Sequence, residues 1–135
     1  MTSPEPGAAI EPLSVTPARY LTVRYAGASG DFNPIHIDEQ FAQQVGLPGR
    51  ILHGLYTMAQ VARAVSDAGG GPQSLRSLSV QFRGMGVPEQ ELTVTGSVAS
   101  IETSTSSTTF NAPNSAECGL IFQSDCLMTA EASSL

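Results

Sequence analysis

Apolar residues recur with a helical period in the first half of the chain and with a two-residue period in the second half. The longest helical stretch predicts a helix from about Gly54 to Ala68, which three glycines and Pro72 would end. The face of this helix expected to be buried consists of Leu55, Met58, Ala59, Ala62 and Val65. Because this face is broad and apolar, other elements must cover the helix.

Shorter elements are predicted before this helix. Residues 1–12 are rich in Pro, Gly, Ala and Glu and predict a loose lead-in, followed by a short strand around Leu13–Val15. Thr16 and Pro17 fit a helix start, because Thr caps helices and Pro suits their first position. Gly30 would end this helix. Its apolar stripe would be Ala18, Leu21, Tyr25 and Ala28.

The segment from Asp31 to Asp38 is predicted to be irregular. Pro34 disfavours helical geometry in the residue before it, which argues against a regular element there. Asp38 then fits as the cap of a short helix through Val45, and Gly46 would close that helix.

The two-residue period predicts strands in the second half of the chain. Two of them are marked by alternating apolar residues, namely Leu78, Val80 and Phe82, and then Leu92, Val94 and Val98. Further along we expect a weaker strand at 106–111, a polar turn at 112–118 and a last strand at 119–129. Helices first and strands afterwards indicate an α+β fold, with an antiparallel sheet wrapped around the long helix. A length of 135 residues fits one domain, 1–135.

The composition narrows the function. The net charge is −6 and the six basic residues are dispersed, so a nucleic-acid-binding surface is not expected. The N-terminus lacks the features of a signal peptide, and no window approaches the roughly 18 apolar residues of a membrane helix. Cys118 and Cys126 make no metal-binding spacing and are interpreted as free thiols, which favours a reducing cytoplasm.

The densest candidate chemistry is the pair Asp31 and His36. An imidazole titrates near neutrality, and a carboxylate beside it can share or orient a water molecule. Loops held by rigid elements are where catalytic groups concentrate. Taken alone, the spacing favours a structural alternative, in which Asp31 caps the loop and His36 is a buried structural histidine.

A second candidate lies at His53 and Gly54, where the long helix is predicted to begin. The first N–H groups of a helix lack internal partners and carry a partial positive charge, so they could stabilise the oxyanion of a thioester. Glycine would allow the close approach that this needs. Taken alone, these two residues favour the alternative of an ordinary helix start.

The run from Tyr25 to Asp38, YAGASGDFNPIHID, resembles the signature of the MaoC-like family of (R)-specific enoyl-CoA hydratases and 3-hydroxyacyl dehydratases. The match covers about residues 16–65. It continues through Ala42, Gly46-Leu47, Ile51 and His53-Gly54-Leu55. The later strands fit in outline, and the turn Gly86-Val87-Pro88 after Phe82 is untypical. The resemblance implies a hot-dog fold, in which the sheet wraps around a central helix.

The resemblance also implies a reaction. Asp31 and His36 would hold one water molecule and add it to C3 of a trans-2-enoyl thioester, or reverse that step on a (3R)-hydroxyacyl thioester. The N–H of Gly54 would bind the thioester oxygen. The acyl group would be carried by CoA or by acyl carrier protein, and the resemblance implies neither a metal nor another cofactor.

Supporting residues follow from the same match. Ser29 and Asn33 are expected to hydrogen-bond within the loop and hold Asp31 and His36, with ordinary turn chemistry as the alternative. His53 is expected to brace the helix start rather than transfer a proton.

Three further residues are candidates for substrate binding. Tyr25 is expected either to line the substrate-binding cleft or to pack in the interior, and packing is favoured. Arg50 and Arg83 are candidates for the phosphates of CoA or of the carrier protein, with ordinary solvated charges as the favoured alternative.

Two rival functions are weaker. A hot-dog thioester hydrolase would need an acidic residue on the central helix, and 54–66 contains neither Asp nor Glu. A non-catalytic acyl-binding module, or the inactive chain of a paired dehydratase, would lack the pair Asp31 and His36. The hydrophobic strands and short length predict an oligomer, a homodimer by default and a heterodimer with a second hot-dog chain as the alternative.

Overall fold

The computed structural model describes residues 6–101, 114–122 and 127–134, and places five strands, four α-helices and a short 3-10 helix at Pro72–Ser74 there. The strands form one sheet in the order β1-β3-β4-β5-β2, and every neighbouring pair is antiparallel. The elements in chain order are β1 Leu13–Val15, α1 Leu21–Ser29, α2 Pro34–Ile37, α3 Glu39–Gln44, α4 Gly54–Ala68, β2 Leu75–Phe82, β3 Leu92–Ile101, β4 Asn114–Phe122 and β5 Leu127–Ser134. The α+β prediction is confirmed.

The long helix α4 has the bounds that its apolar pattern predicts, and it packs against β2, β3 and β4. Val61, Ala64 and Val65 of α4 join Leu92 and Val94 of β3 in the core. No helix in the described part of the chain is long and apolar enough to cross a membrane.

The predicted buried face of α4 is confirmed at Val65, is half-buried at Met58 and Ala62, and is wrong at Leu55 and Ala59. Leu55 is 64% exposed and Ala59 is exposed, whereas Thr57 is buried and donates its hydroxyl hydrogen to the Gly54 carbonyl at 2.7 Å. Apolar residues surround most of this helix, so the position of the sheet decides which of them are covered.

The helix α1 begins at Leu21 rather than at Thr16-Pro17, and no side chain caps it. Its buried residues are Thr22 and Ala26. The predicted stripe is half-buried at Leu21 and Tyr25, and it is wrong at Ala18 and Ala28, which are exposed. The predicted end is confirmed, because Gly30 adopts φ +78° and its N–H donates to the Ala26 carbonyl at 2.8 Å. That left-handed conformation is one that glycine adopts without steric cost.

The N-terminal lead-in is not loose where the structure describes it. The N–H groups of Gly7 and Ile10 donate to carbonyls of β3, at 2.7 Å and 2.9 Å, and Ile10 is buried in the core. This arm continues the edge that β1 forms along β3. The prediction of a loose segment is therefore wrong around Ile10, because the edge of β3 supplies hydrogen-bond partners that local composition does not reveal.

The C-terminal elements differ from their predictions. The expected turn at 112–118 is wrong from Asn114 onward, because β4 runs from Asn114 to Phe122. The expected single strand at 119–129 is two strands, and Ile121 of β4 pairs with Leu127 of β5. The strand expected at 106–111 and the side chains of both cysteines lie outside what the structure describes.

Candidate active site

The loop that carries the candidate pair leads directly into a short helix. The structure corrects the prediction of an irregular segment, because Pro34–Ile37 form α2 with Pro34 at its first position. Asn33 precedes it with φ −55° and ψ 128°, the extended geometry that a following proline requires, and its side-chain oxygen accepts from the Ile35 N–H at 3.2 Å. The restriction that Pro34 imposes therefore ends at Asn33 and starts a helical turn. Downstream, the predicted cap is confirmed, since Asp38 accepts from the Phe41 N–H at 3.0 Å.

Ser29, Asp31 and Asn33 are linked by short-range hydrogen bonds. The Ser29 hydroxyl donates to the Tyr25 carbonyl at 2.8 Å and accepts from the Asp31 N–H at 3.2 Å. The carboxylate of Asp31 accepts from the Asn33 N–H at 3.2 Å through Oδ1. These contacts leave Oδ2 of Asp31 directed to a different partner.

That partner is His36 of α2, which is 7% exposed. Nδ1 of His36 lies 2.8 Å from the Ile51 carbonyl oxygen. Because a carbonyl only accepts, Nδ1 carries the hydrogen and the neutral ring has its lone pair at Nε2. Nε2 lies 3.9 Å from Oδ2 of Asp31, which is too far for a direct hydrogen bond. One small oxygen ligand could hydrogen-bond to both atoms.

His53 lies against the same pair. It is 2% exposed, its Nε2 is 3.0 Å from the Asp31 carbonyl oxygen, and its ring stacks on that of His36 with centroids 3.8 Å apart. The side chain makes no capping hydrogen bond at the start of α4, so the expected bracing of the helix falls to the backbone carbonyl alone, which accepts from Tyr56 and Thr57.

Asp31, His36 and His53 also form a group of metal-type donors, with ligand atoms within 4.8 Å of one another. The two imidazole rings are stacked with only 26° between their planes. Lone pairs lie in the plane of each ring, so those of stacked rings run side by side instead of converging on an ion. The arrangement favours proton transfer over metal binding.

Gly54 stands next to this group as the first residue of α4. Its N–H has no partner within the helix, as at every helix start. A side chain at Gly54 would place Cβ 3.2 Å from the nearest ring carbon of Phe82, so this position accepts a side chain only if that ring moves. Phe82 was noted in the sequence through its family position, but its contact with Gly54 required the fold.

Aromatic residues form the back of the site. The centroid of the Tyr25 ring lies 4.7 Å from that of His53, and it lies 6.1 Å from that of Tyr56 in an edge-on arrangement. These contacts support the packing interpretation of Tyr25. Burial raises the pKa of Tyr56 above its ordinary value, and the nearby Arg63 cation partly opposes that change. No feature of the sequence pointed to Tyr56 or to the Ile51 carbonyl, because one is an ordinary helix residue and the other is a backbone group.

The two candidate arginines differ in their surroundings. Nε of Arg50 is 3.2 Å from the Glu39 carboxylate, and the Arg50 side chain is 16% exposed. Arg83 is exposed and donates to the Gln81 side chain at 2.8 Å. Arg50 is therefore neutralised by an ion pair, whereas Arg83 has no carboxylate partner in the described part of the chain.

Known proteins resemble this chain in sequence and in fold. A family model described as "MaoC like domain" matches residues 3–117. The fatty acid synthase beta subunit TOXC of Cochliobolus carbonum is 46% identical over 74 residues, which are 52% of this chain and 4% of that protein. The chain thus spans about 4% of the length of the fatty acid synthase subunits that it matches.

Solved structures show the same fold. The "(R)-hydratase from A. caviae involved in PHA biosynthesis" has a TM-score of 0.82 at 20% identity, over 99% of this chain and 98% of that one. The ChsH1-ChsH2 complex from Mycobacterium tuberculosis has a TM-score of 0.80 at 19% identity, over 96% of each chain. The predicted hot-dog fold is confirmed.

Proposed function

The chain belongs to the MaoC-like family, and we propose that it catalyses reversible hydration of trans-2-enoyl thioesters and dehydration of (3R)-hydroxyacyl thioesters. The observation that carries this proposal is the Asp31–His36 pair, with Nε2 of His36 3.9 Å from a carboxylate oxygen of Asp31 and the N-terminus of α4 beside them. The acyl group would be a fatty-acyl or polyketide chain on CoA or acyl carrier protein.

In the hydration direction, Asp31 and His36 hold a water molecule between them. Nε2 of His36 takes a proton from this water while its oxygen bonds to C3 of the enoyl group. The electrons of the C2–C3 double bond move toward the thioester oxygen. The Asp31–His36 pair then delivers a proton to C2. Dehydration runs through the same steps in reverse, with protonation of the leaving 3-hydroxyl group.

Gly54 stabilises the charge that develops in this reaction. Its N–H points out of the N-terminus of α4, where the helix dipole favours negative charge. An enolate-like oxygen bound there is stabilised more than the neutral carbonyl, which lowers the barrier. The thioester itself makes the C2 proton acidic, so the proposed chemistry requires no added cofactor.

The direct test uses crotonyl-CoA and the loss of ultraviolet absorbance of its conjugated double bond. We expect the full chain to hydrate crotonyl-CoA to the (3R) product, and Asp31→Asn or His36→Gln to reduce kcat by at least about 100-fold, the usual scale of acid–base catalysis. Activity that survives Asp31→Asn would contradict the mechanism. Circular dichroism of each variant verifies that the fold is retained.

A paired dehydratase is the second candidate, and the structural likeness to the ChsH1-ChsH2 complex favours it. This chain would be the catalytic member, because it carries both Asp31 and His36. Hydration that requires a second hot-dog chain would support this alternative.

Thioester hydrolysis is less well supported. The acidic residue of α4, Asp67, lies thirteen positions beyond Gly54, which is roughly 20 Å along the helix, and it is near Arg63. A thiol reagent added to the crotonyl-CoA assay would detect hydrolysis directly, and we expect no release of CoA.

A homodimer is the proposed assembly. Leu55 on α4 and Phe82 at the end of β2 are more than half exposed, and β2 lies at an edge of the sheet. Exposed apolar side chains beside an unpaired strand edge suit contact with a second copy. Gel filtration with light scattering should give the mass of two chains, and a mass of one chain would contradict the proposal.

Arg83 is the proposed contact for CoA phosphates, because it follows Phe82 and lacks the ion pair that engages Arg50. Arg83→Ala should raise KM for crotonyl-CoA and leave KM for crotonyl-pantetheine, which lacks the nucleotide, unchanged. Equal changes for both substrates would refute this role.

The proposed location is the cytoplasm. It depends on the interpretation of Cys118 and Cys126 as free thiols, and titration of the unreduced protein with a thiol reagent should detect both. Detection of neither would remove this support.

A further inference from the structure

His53 occupies a position whose side chain is not explained by the start of α4. Helices commonly begin with a side chain that accepts from the first N–H groups, but the His53 side chain makes no such bond. Its ring instead lies against the rings of Tyr25 and His36, which belong to other helices, and is almost completely buried. A polar ring is costly to bury unless its contacts repay that cost.

The polar contact of this ring is with the catalytic loop. Because the Asp31 carbonyl can only accept, Nε2 of His53 carries the hydrogen and donates to it at 3.0 Å. The other nitrogen, Nδ1, is buried and has no partner within the described residues. Neither nitrogen is therefore available to a substrate, which argues against proton transfer by His53.

Asp31 needs such a contact. Its side chain is 53% exposed, and the bonds that hold it come from residues of its own loop. The donor from His53 lies directly before the first residue of α4, 22 positions after Asp31 in sequence, and so connects the loop to a rigid element. The same ring lies flat against His36, the second member of the pair.

We propose that His53 is a positioning residue, which holds the Asp31 backbone by one hydrogen bond and thereby sets the separation between the Asp31 carboxylate and Nε2 of His36. This inference rests on the proposed hydratase function. It predicts that loss of the donor lowers kcat, because a shift of about 1 Å in a reacting group can cost about 100-fold in rate.

Two variants separate the donor from the ring. His53→Phe keeps a flat ring against His36 and removes the donor, and it also removes the unpartnered Nδ1, so its stability should not fall. His53→Gln removes the ring but places an amide N–H as many bonds from Cα as Nε2 of histidine. We expect the Phe variant to lose roughly 10- to 100-fold in kcat and the Gln variant to regain most of it.

The assay measures kcat and KM for crotonyl-CoA, together with Tm and amide hydrogen exchange at Asp31 and Asn33. In His53→Phe, KM should stay within about threefold of wild type while exchange at both amides accelerates, since binding is retained and the loop is released. A Phe variant with unchanged kcat would overturn the proposal. Equal losses of kcat in both variants, matched by equal losses of Tm, would also overturn it, because they would indicate packing alone.

The two proposals fail in different ways. If the wild type does not hydrate crotonyl-CoA, the proposed function fails, and the hydrogen-exchange comparison of wild type, Phe and Gln variants still decides whether His53 holds the loop. Unchanged exchange in the Phe variant would refute the contact even in an active enzyme.

Discussion

Substitution of Gly54 by alanine separates the role of this residue in folding from its role in catalysis. The added Cβ would lie 3.2 Å from Cε1 and 3.3 Å from Cζ of Phe82, so the ring must move by a few tenths of an ångström. Phe82 is 51% exposed and has room to move outward. Alanine favours a helix over glycine by up to about 1 kcal/mol, which offsets this displacement. We therefore expect the free energy of unfolding to change by less than about 1 kcal/mol.

The effect on activity should be much larger. Cα–Cβ bonds in a helix tilt toward its N-terminus, so the new methyl group lies beside the free N–H of residue 54. It would hold the thioester oxygen away from that donor. Loss of one oxyanion donor typically costs about 100- to 1000-fold in kcat, or roughly 2.7–4 kcal/mol. We expect a loss on this scale in the crotonyl-CoA assay, at nearly unchanged Tm.

Gly27→Ala is the matched control. Gly27 lies inside α1, its backbone conformation suits alanine, and no atom lies within 4 Å of the Cβ that it would gain. The control should retain activity and gain slightly in Tm, for the same reason of helix propensity. If folded Gly54→Ala hydrates crotonyl-CoA within about threefold of wild type, Gly54 does not bind the reacting oxygen and the reasoning from the helix start is refuted.

Other substitutions test the fold and the surroundings of the site. Leu92→Ala, at a residue 1% exposed in the core, should lower the free energy of unfolding in urea by about 2–5 kcal/mol; a loss below about 1 kcal/mol would contradict the described packing. Asp38→Ala should cost about 1 kcal/mol by removing the cap of α3, whereas Asp38→Asn retains the acceptor and should cost less; equal losses would count against capping. Since burial raises the pKa of Tyr56 above 10, the unfolded chain loses this proton first as pH rises, so the stability that Tyr56 contributes is present below pH 10 and declines above it. Tyr56→Phe should make urea unfolding less sensitive to alkaline pH, and an unchanged pH dependence would argue against this effect.

The local elements that the sequence predicted correctly have strong chemical signals. The helix α4 begins at Gly54 and ends at Ala68, because the apolar periodicity continues until three glycines interrupt it. Asp38 caps α3 and Gly30 ends α1, since both functions depend on one residue and its immediate neighbours. A local signal can also mislead. Thr16-Pro17 suits a helix start, yet α1 begins at Leu21 without any side-chain cap.

The residues of the site were also predictable from the sequence, whereas the contacts between them were not. By itself the sequence determined the residue types and their order, from Asp31 and His36 to Gly54, because the motif is contiguous and its resemblance to a family is specific. Tertiary structure alone decided which contacts orient them. The Ile51 carbonyl sets the tautomer of His36, and the ring of His53 reaches the Asp31 carbonyl instead of its own helix. Such contacts join a side chain to a backbone group 15 or 22 residues away, and a backbone carbonyl has no residue type by which a sequence could announce it.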